Sequence, residues 1–380
     1  VHRTEKMKKT LVAAALLGTF AASAFAAPSV TMYGLIDTGI YYNHYRADDG
    51  KTSSTDTVSM KSGQNSGSRW GLKGTEDLGS AKVSFILENG FNDDDGTADN
   101  SGRLFGREAS ITVSGAYGSL TAGRVGKLVS TAGSTAMGGG AFTPYNGGWN
   151  DAGISGFTGS DWGRVDNSLT YVSPSVAGFA LHAQYSFKAD SVTDGSAIRE
   201  NSSKTDRYAA LGVSYDQGPW RAALIGDYTM WKNDSTTNDN IDNGYNIILG
   251  GAYDFKVVRA YAMVNYFDHQ KSLKSKVGDL ANLTSTVAQN GFKGWGAALG
   301  ADIPAFGGVW HAMVDYRDAK VDEGTAKYKR WGAAGAYEYF FSKRTSAYAA
   351  VTYSQQKAEG TSNDGTPSSV GVLGGLIHKF

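Results

Sequence analysis

Apolar and polar residues alternate along most of the chain after residue 27, in segments of about ten residues. For example, Phe179, Leu181 and Tyr185 fall on one face of such a segment, while His182 and Gln184 fall on the other. The same period recurs in residues 66–78, 81–91 and 310–317. Two-residue periodicity predicts β-strands with one apolar and one polar face. No run of 18 apolar residues follows residue 27, so we expect no transmembrane helix there.

Short and long connections between the predicted strands alternate. Short turns are predicted at 77–80, 116–119, 173–178, 216–219, 254–256, 304–308 and 341–343. Long polar loops are predicted at 44–65, 92–102, 128–163, 190–205, 233–243, 271–290, 320–326 and 357–367. Tight turns at one end and long loops at the other are typical of outer-membrane barrels, whose turns face the periplasm. The sequence therefore predicts an all-β, 16-stranded antiparallel transmembrane β-barrel with apolar faces toward lipid and polar faces toward a lumen.

A soluble, secreted β-sandwich or propeller would also show alternating polarity. Strands of about ten residues exceed the usual five or six of soluble sheets, and a soluble fold gives no reason to sort long from short connections. Aromatic residues near the predicted strand ends also favour the barrel, because they would form its interfacial girdle. These are Tyr41, Tyr42, Trp220, Tyr228, Trp231, Tyr266, Tyr337 and Tyr339.

The first 26 residues have the pattern of a secretory signal. Lys8 and Lys9 precede an apolar run at 11–22, and a small-x-small motif follows at 24–26. A membrane anchor is the alternative, but the run is too short to cross about 30 Å of hydrocarbon as a helix. We predict a signal peptide at 1–26, of which 1–6 are an upstream extension, and an outer-membrane β-barrel domain at 27–380.

Composition removes several classes of function. The chain carries 36 basic and 36 acidic residues, and removing 1–26 leaves 32 against 35, a net charge of −3. That balance argues against nucleic acid as a partner. The absence of cysteine excludes disulfides, thiolate metal sites and thiol nucleophiles. Fifty glycines beside only six prolines suit a chain of strands and turns.

Sixteen strands enclose an aqueous channel, whereas eight are filled by their own side chains. The loop at 128–163 has 36 residues, ten of them glycine, and only two charges, Asp151 and Asp161. Loops this long are usually functional, and its aromatic residues would be poorly placed in bulk water. We therefore predict that this third loop folds into the lumen. A mobile external loop is the alternative.

Several segments of the chain are similar to the trimeric general porins of the β-proteobacterial type, and the resemblance runs from about residue 29 to 380. They are SVTMYGLID at 29–37, SRWGLKGTEDLG at 68–79, LFGREA at 104–109, SLTAGR at 119–124, RVDNSLTYVSP at 164–174 and HKF at 378–380. The resemblance implies an outer-membrane homotrimer with an inward third loop and a tendency to favour anions. It also places the family's constriction arginines at Arg69, Arg107 and Arg164.

Strand parity gives a separate indication of where these arginines point. Arg69 and Arg164 lie on lumen-facing positions. Arg107 and Arg124 are an even number of residues from apolar positions of their strands, so alternation alone would point them toward lipid. An arginine facing lipid near the midplane costs about 2–4 kcal/mol, so either a bulge turns these two inward or they lie among the head groups. The candidate constriction residues are Arg69, Lys73, Arg107, Arg124, Asp151, Asp161 and Arg164.

Catalytic and metal-binding interpretations have little support. His182 and Ser186 share a face but lie about 13 Å apart along a strand, beyond hydrogen-bond reach. Asp93, Asp94 and Asp95 lack the ligand spacing of a calcium loop and are interpreted as a solvated external loop. We expect no catalytic residues, no cofactor and no metal.

The predicted function is a water-filled channel for passive diffusion of small hydrophilic solutes and ions, with a weak anion preference. A substrate-specific channel, for instance for sugars, or a barrel enzyme is the alternative. The predicted surroundings are outer-membrane lipid and lipopolysaccharide. Phe380 shares a face with His378 and Leu376 and resembles the signal read by the barrel-assembly machinery, although it could be a girdle residue.

Overall fold

The structure is a computed structural model that describes residues 29–48, 54–138, 142–145, 163–192, 198–232, 242–271, 273, 291–361 and 364–380. The predicted signal peptide, and the predicted site residues Asp151 and Asp161, lie outside these ranges. Within them, no helix is both long and apolar enough to cross a membrane.

The described residues form strands joined by turns and loops. The strands are β1 (Ser29–Arg46), β2 (Thr55–Ser62), β3 (Arg69–Asp77), β4 (Lys82–Gly90), β5 (Glu108–Gly115), β6 (Gly118–Gly126), β7 (Arg164–Val172), β8 (Phe179–Ser186), β9 (Arg207–Gln217), β10 (Trp220–Met230), β11 (Gly244–Asp254), β12 (Arg259–Gln270), β13 (Phe292–Ala305), β14 (Gly308–Val321), β15 (Lys327–Phe340), β16 (Thr345–Glu359) and β17 (Ser368–Lys379).

Neighbouring strands pair antiparallel, and β1 pairs with β17 to close the sheet. On its other side, β1 pairs with β3 through residues 29–35 and with β2 through residues 38–45. β2 and β3 therefore form a single barrel strand that is interrupted at 63–68. The result is the predicted closed 16-stranded antiparallel barrel.

The alternation of short and long connections is confirmed, and the largest error in extent is at the first loop. The predicted loop at 44–65 is too long, because β1 continues to Arg46 and β2 occupies Thr55–Ser62. Ile40 pairs with Met60 and Tyr42 pairs with Val58, so cross-strand apolar contacts extend this hairpin.

The two faces of the sheet differ as predicted. On β10, Leu224 and Tyr228 are exposed on the outer face, whereas Ile225 and Asp227 are buried on the inner face. The girdle assignment of Tyr41 is wrong, because its side chain is buried on the inner face and its hydroxyl donates to Asn43 Oδ1 at 2.9 Å. The exposed outer aromatics include Tyr42, Trp220, Tyr228, Tyr266 and Tyr339.

The described parts of the third loop, 127–138 and 142–145, run along the inner wall. Phe142 is buried against Gly250 of β11, and Pro144 packs beside Gly300 of β13. The Tyr145 hydroxyl donates to the Ala334 carbonyl of β15 at 3.0 Å. The described part of the loop is therefore folded into the barrel as predicted, and the alternative of a mobile external loop is wrong for these residues.

Candidate functional site

Glu88 on β4 is the centre of a charged cluster on the inner wall. Its Oε1 accepts a hydrogen bond from Arg107 Nε at 2.7 Å and lies 3.9 Å from Arg69 Nη1. Its Oε2 accepts a hydrogen bond from the Tyr33 hydroxyl at 2.9 Å. Two of the predicted arginines thus share one carboxylate, which fixes both guanidinium groups beside each other.

Arg107 reaches Glu88 because it precedes β5, which begins at Glu108, so the parity of that strand does not apply to it. Two glycines leave room for its side chain. A Cβ atom at Gly67 would lie 2.7 Å from Arg107 Nη1, and one at Gly90 would lie 3.1 Å from its Cγ and Cδ. The buried position of Arg107 therefore depends on the absence of side chains at these two glycines.

Arg164 is the first residue of β7 and joins the same cluster. Its Nε donates to the Arg107 carbonyl oxygen, and its Nη1 lies 3.4 Å from Asn100 Oδ1. The structure therefore brings together the three arginines that the family resemblance selected. Arg69 and Arg107 share the carboxylate of Glu88, whereas the guanidinium of Arg164 is held by the Arg107 carbonyl and by Asn100.

Arg124 belongs to a different cluster. The register of β6 and β7 shifts between Gly123 and Val125, and Gly123 has a φ of 128°. This bulge turns Arg124 toward Asp166, with which it forms an ion pair, while its Nε donates to the Gly106 carbonyl at 2.8 Å. Arg103 also pairs with Asp166, at 3.1 Å. A bulge thus turns Arg124 inward, which is one of the two alternatives given above. Its charge is paired with Asp166 and not with Glu88.

Lys73 also lies apart from Glu88. It is four residues further along β3 than Arg69, toward the turn at 78–81, and its ammonium lies 5.1 Å from the centroid of the Tyr33 ring. Four strand residues correspond to about 13 Å. Lys73 therefore lies on the same inner wall as the arginines but nearer to the turn at 78–81.

An anchor that the sequence analysis missed lies next to this cluster, at the interruption between β2 and β3. Asp37 Oδ2 accepts hydrogen bonds from the backbone N–H groups of Asn65 and Ser66, each at 2.7 Å. Its Oδ1 accepts one from the Tyr348 hydroxyl at 2.6 Å. The bend at 63–68 is thereby held inward, with Gly67 against Arg107. An aspartate at a lumen-facing position of β1 was the available sequence signal.

Asp93 supports the same bend, which corrects its interpretation as a purely solvated residue. Its Oδ1 accepts a hydrogen bond from Ser68 Oγ at 2.7 Å and another from Ser62 Oγ. Asp95 instead caps its own loop, and hydrogen bonds from the Thr97 hydroxyl and backbone N–H lower the pKa of Asp95.

Asp268, His269 and Asp322 form a group with metal-ligand chemistry at the far end of β12 and β14. His269 bridges the two carboxylates, with Nδ1 2.6 Å from Asp268 and Nε2 2.9 Å from Asp322. Lys293 also forms an ion pair with Asp322. Burial is the largest single influence on the pKa of Asp322 and would raise it, but the hydrogen bond and charge of Lys293, the charge of His269 and a hydrogen bond from the Glu323 N–H together lower the pKa. The carboxylates of the cluster are therefore already satisfied by His269 and Lys293.

His182 and Ser186 do not form a catalytic pair. His182 Nε2 lies 2.9 Å from Ser214 Oγ, and the Ser186 hydroxyl donates to the Asp166 carbonyl at 2.6 Å. Both are thus engaged in the polar lining of the wall.

A closed sixteen-stranded barrel with an apolar outer face, a charged inner face and an inward loop defines an outer-membrane channel. The model of the Gram-negative porin family matches residues 12–359. An outer membrane porin protein of Bordetella pertussis is 34% identical over 98% of this chain and 100% of the relative. Outer membrane porin protein 32 of Delftia acidovorans is 30% identical with the same coverage.

Among solved structures, an anion-selective porin from Comamonas acidovorans matches with a TM-score of 0.64 and 24% identity, over 93% of this chain and 100% of that one. The chain belongs to the Gram-negative porin family. It is an outer-membrane porin, a water-filled channel for passive diffusion of small hydrophilic solutes.

Proposed function

We propose that this porin weakly prefers anions and that Arg69, Arg107 and Arg164 are responsible. The observation that carries the proposal is that Arg69 and Arg107 share Glu88 while Arg164 bonds to the Arg107 carbonyl, which leaves a local excess of positive charge on the inner wall. Tyr33 contributes a further hydrogen-bond donor to Glu88. Because Arg107 and Arg164 are held by hydrogen bonds and Arg69 lies beside the same carboxylate, their positive field is fixed in place.

The net negative charge predicted for the exported chain does not oppose this preference. Low-dielectric walls focus the field of local charges, so the charge at the narrowest point decides selectivity. Two unit charges 4 Å apart interact by about 1 kcal/mol in water and about 4 kcal/mol at an effective dielectric of 20. Carboxylates on distant loops are screened beyond about 10 Å at 0.1 M salt. Glu88 keeps the preference weak.

The test is the zero-current potential of purified protein in a planar bilayer under a KCl gradient. We expect its sign to show chloride more permeant than potassium, with the preference shrinking as salt rises. The double variant Arg69→Ser and Arg164→Ser should shift the potential toward cation preference.

The matched control is the double variant Arg221→Ser and Arg259→Ser. These arginines are exposed near turns and pair with Asp216 and Asp254. It should leave the potential unchanged. A cation-preferring wild type, or an unchanged potential in the Arg69/Arg164 variant, would contradict the proposal.

We further propose that the porin is a homotrimer. The support is the resemblance to trimeric general porins stated above and the long hairpin of β1 and β2. Unheated gel samples should show a band of about three times the monomer mass that collapses to the monomer on boiling. A monomer-sized band after gentle extraction would exclude the trimer.

A further inference from the structure

A groove crosses the outer face of the barrel over β7 to β10. Its volume is about 1040 Å³. Sites that hold small ligands measure about 300–1,000 Å³, so the groove is of that size although it lies on the outside of a barrel wall. We call it the outer groove. The side chains that shape it are apolar or aromatic, and the main ones are Leu169, Tyr185, Ala209, Leu211, Gly226 and Tyr228.

Small residues on β9 and β10 make the floor of the outer groove. Ala209 pairs with Tyr185 on one side and with Tyr228 on the other. Because neighbouring strands lie about 4.8 Å apart, the Cα atoms of the two tyrosines are about 10 Å apart with only a methyl group between them. In the next row Leu211 pairs with Gly226, where a Cβ atom would meet no atom within 4 Å. The floor is therefore open between two aromatic walls.

Hydrogen bonds from the long loops hold both tyrosines in place. The Tyr185 hydroxyl donates to Asn201 Oδ1 at 2.7 Å. The Tyr228 hydroxyl accepts a hydrogen bond from Asn243 Nδ2 at 2.8 Å. The long loops of such barrels face outward and the tight turns face the periplasm, so this end of the groove points away from the cell. Its entrance is formed before any ligand binds, which lowers the entropic cost of binding.

Arg207 lies at the outward end of the groove. It is the first residue of β9, on the same face as Ala209, and it pairs with Met230. Its Nε is buried without a hydrogen-bond partner, and no carboxylate of the described residues forms an ion pair with its guanidinium. The adjacent Asp206 accepts a hydrogen bond from the Lys232 backbone N–H at 2.6 Å instead. A cation without a protein counter-charge therefore stands above an apolar groove.

The depth of the groove matches one leaflet of the membrane. Six strand residues, from Arg207 to Val213, span about 20 Å. Strands of such barrels tilt by about 40°, so this length corresponds to about 15 Å along the membrane normal. The hydrocarbon core is about 30 Å thick in total. The groove thus extends through the outward leaflet, and Arg207 lies at the level of its head groups.

We propose that the outer groove is a binding site for lipopolysaccharide. A phosphate of lipid A binds the Arg207 guanidinium, and an acyl chain lies between the two tyrosines over Ala209 and Gly226. Lipid A forms the outward leaflet of the outer membrane and carries phosphate groups and acyl chains in one molecule. The planar fork of arginine suits the paired oxygens of a phosphate.

A second, smaller groove on the outer face of β13 to β16 gives an internal comparison. Its volume is about 580 Å³. The outer-face lysines toward its outward end already have carboxylate partners, since Lys329 lies 3.9 Å from Asp318 and Lys357 lies 2.5 Å from Glu359. This groove is apolar as well, but these cations are paired within the chain. It therefore supplies matched control positions.

Native mass spectrometry of porin extracted from outer membranes in mild detergent tests the groove. We expect one retained lipopolysaccharide molecule per wild-type chain. Gly226→Leu fills the floor and should lower the retained fraction about tenfold, because buried methylene groups of the lipid are displaced. Gly335→Leu is the control, since Gly335 lines the smaller groove and a Cβ atom there also meets no atom within 4 Å. Retention of phospholipid only, or equal retention in wild type and Gly226→Leu, would overturn the proposal.

The contact with phosphate is tested separately on refolded protein. The probes are lipid A and lipid A from which the phosphates have been removed, and binding is measured by the rise in unfolding temperature. Wild type should bind the phosphorylated form about tenfold more tightly. Arg207→Gln should bind both forms equally, whereas Lys329→Gln should keep the wild-type difference. A wild type that does not distinguish the two forms, or an Arg207→Gln variant that still does, would overturn the proposal.

Discussion

At the scale of single residues, glycines of the inner wall determine where the third loop lies. A Cβ atom at Gly250 would overlap the Phe142 ring, and one at Gly212 would lie 2.6 Å from Met137 Sδ. A Cβ atom at Gly300 would likewise lie 2.6 Å from Pro144 Cδ. Three strands thus leave space for three side chains of the loop, which fixes its path along β9, β11 and β13.

We predict that Gly250→Ala displaces the loop and alters the channel. Overpacking of a filled site costs about 1–3 kcal/mol, so Phe142 should leave its position instead of tolerating the overlap. Single-channel recordings should show a changed mean conductance and increased current noise.

Two further variants make this prediction specific. Adding Phe142→Ala to Gly250→Ala should restore a quiet channel, because the overlap is removed. Gly226→Ala on β10 is the control, since a Cβ atom there would meet no atom within 4 Å. Wild-type conductance and noise in Gly250→Ala would show that the loop does not depend on this glycine.

The arginines show which part of the site the sequence could predict. The two-residue period placed Arg69 and Arg164 on the inner face, and both lie in the Glu88 cluster. The same rule misplaced Arg107 and Arg124. Arg107 precedes β5, which begins at Glu108, and Arg124 lies at a bulge of β6. Such local breaks of the period depend on long-range contacts, and so the alternation alone could not give them.

At the scale of elements, the interrupted strand of β2 and β3 depends on a buried carboxylate. Asp37 holds the bend at 63–68 through two backbone N–H groups and is itself held by Tyr348. The bend in turn lies against Arg107. The position of Arg107 therefore depends on an aspartate that does not touch it.

We predict that Asp37→Ala loosens the bend and weakens the anion preference. Each buried group left without its partner costs about 1–3 kcal/mol, and three such bonds are lost. The zero-current potential should move toward zero, and trypsin should cleave folded protein faster at Lys61, next to the bend.

The control for proteolysis is Asp227→Ala. Asp227 is also a buried acid on the inner face, with hydrogen bonds from Tyr208 and Asn246, but it lies on β10. Its loss should not change cleavage at Lys61. If Asp37→Ala keeps both the wild-type potential and the wild-type cleavage rate, the bend is held by other contacts.

Turn chemistry and alternation predicted most of the elements, and two failures have different causes. The loop at 44–65 reads as polar, yet its ends pair because Met60 and Val58 oppose Ile40 and Tyr42. Tyr41 reads as a girdle residue, yet it shares the inner face with Asp37. Cross-strand pairing, which is not local in sequence, decides the first outcome. The two-residue period decides the second, because Tyr41 lies four strand residues from Asp37 and therefore on the same face.

At the scale of the whole molecule, the barrel closes between β1 and β17. Twelve residue pairs join the two strands, and Gly34 and Phe380 exchange backbone hydrogen bonds of 3.0 and 3.1 Å at one end. The Phe380 ring lies over Gly34, where a Cβ atom would overlap it. Phe380 therefore has a packing role at the closing seam, in addition to its predicted role in recognition by the assembly machinery.

Phe380→Ala separates these two roles. The variant keeps the backbone pairs of the seam, so purified protein should still refold in detergent and shift in mobility on heating, as the wild type does. In cells, loss of the recognised aromatic should lower the outer-membrane level and leave protease-sensitive chain in the periplasm. Phe341→Ala, an exposed aromatic at the turn between β15 and β16, is the control and should assemble normally. Failure to refold in detergent would assign Phe380 to the seam, because no machinery is present there. Normal levels in cells would exclude it as an assembly signal.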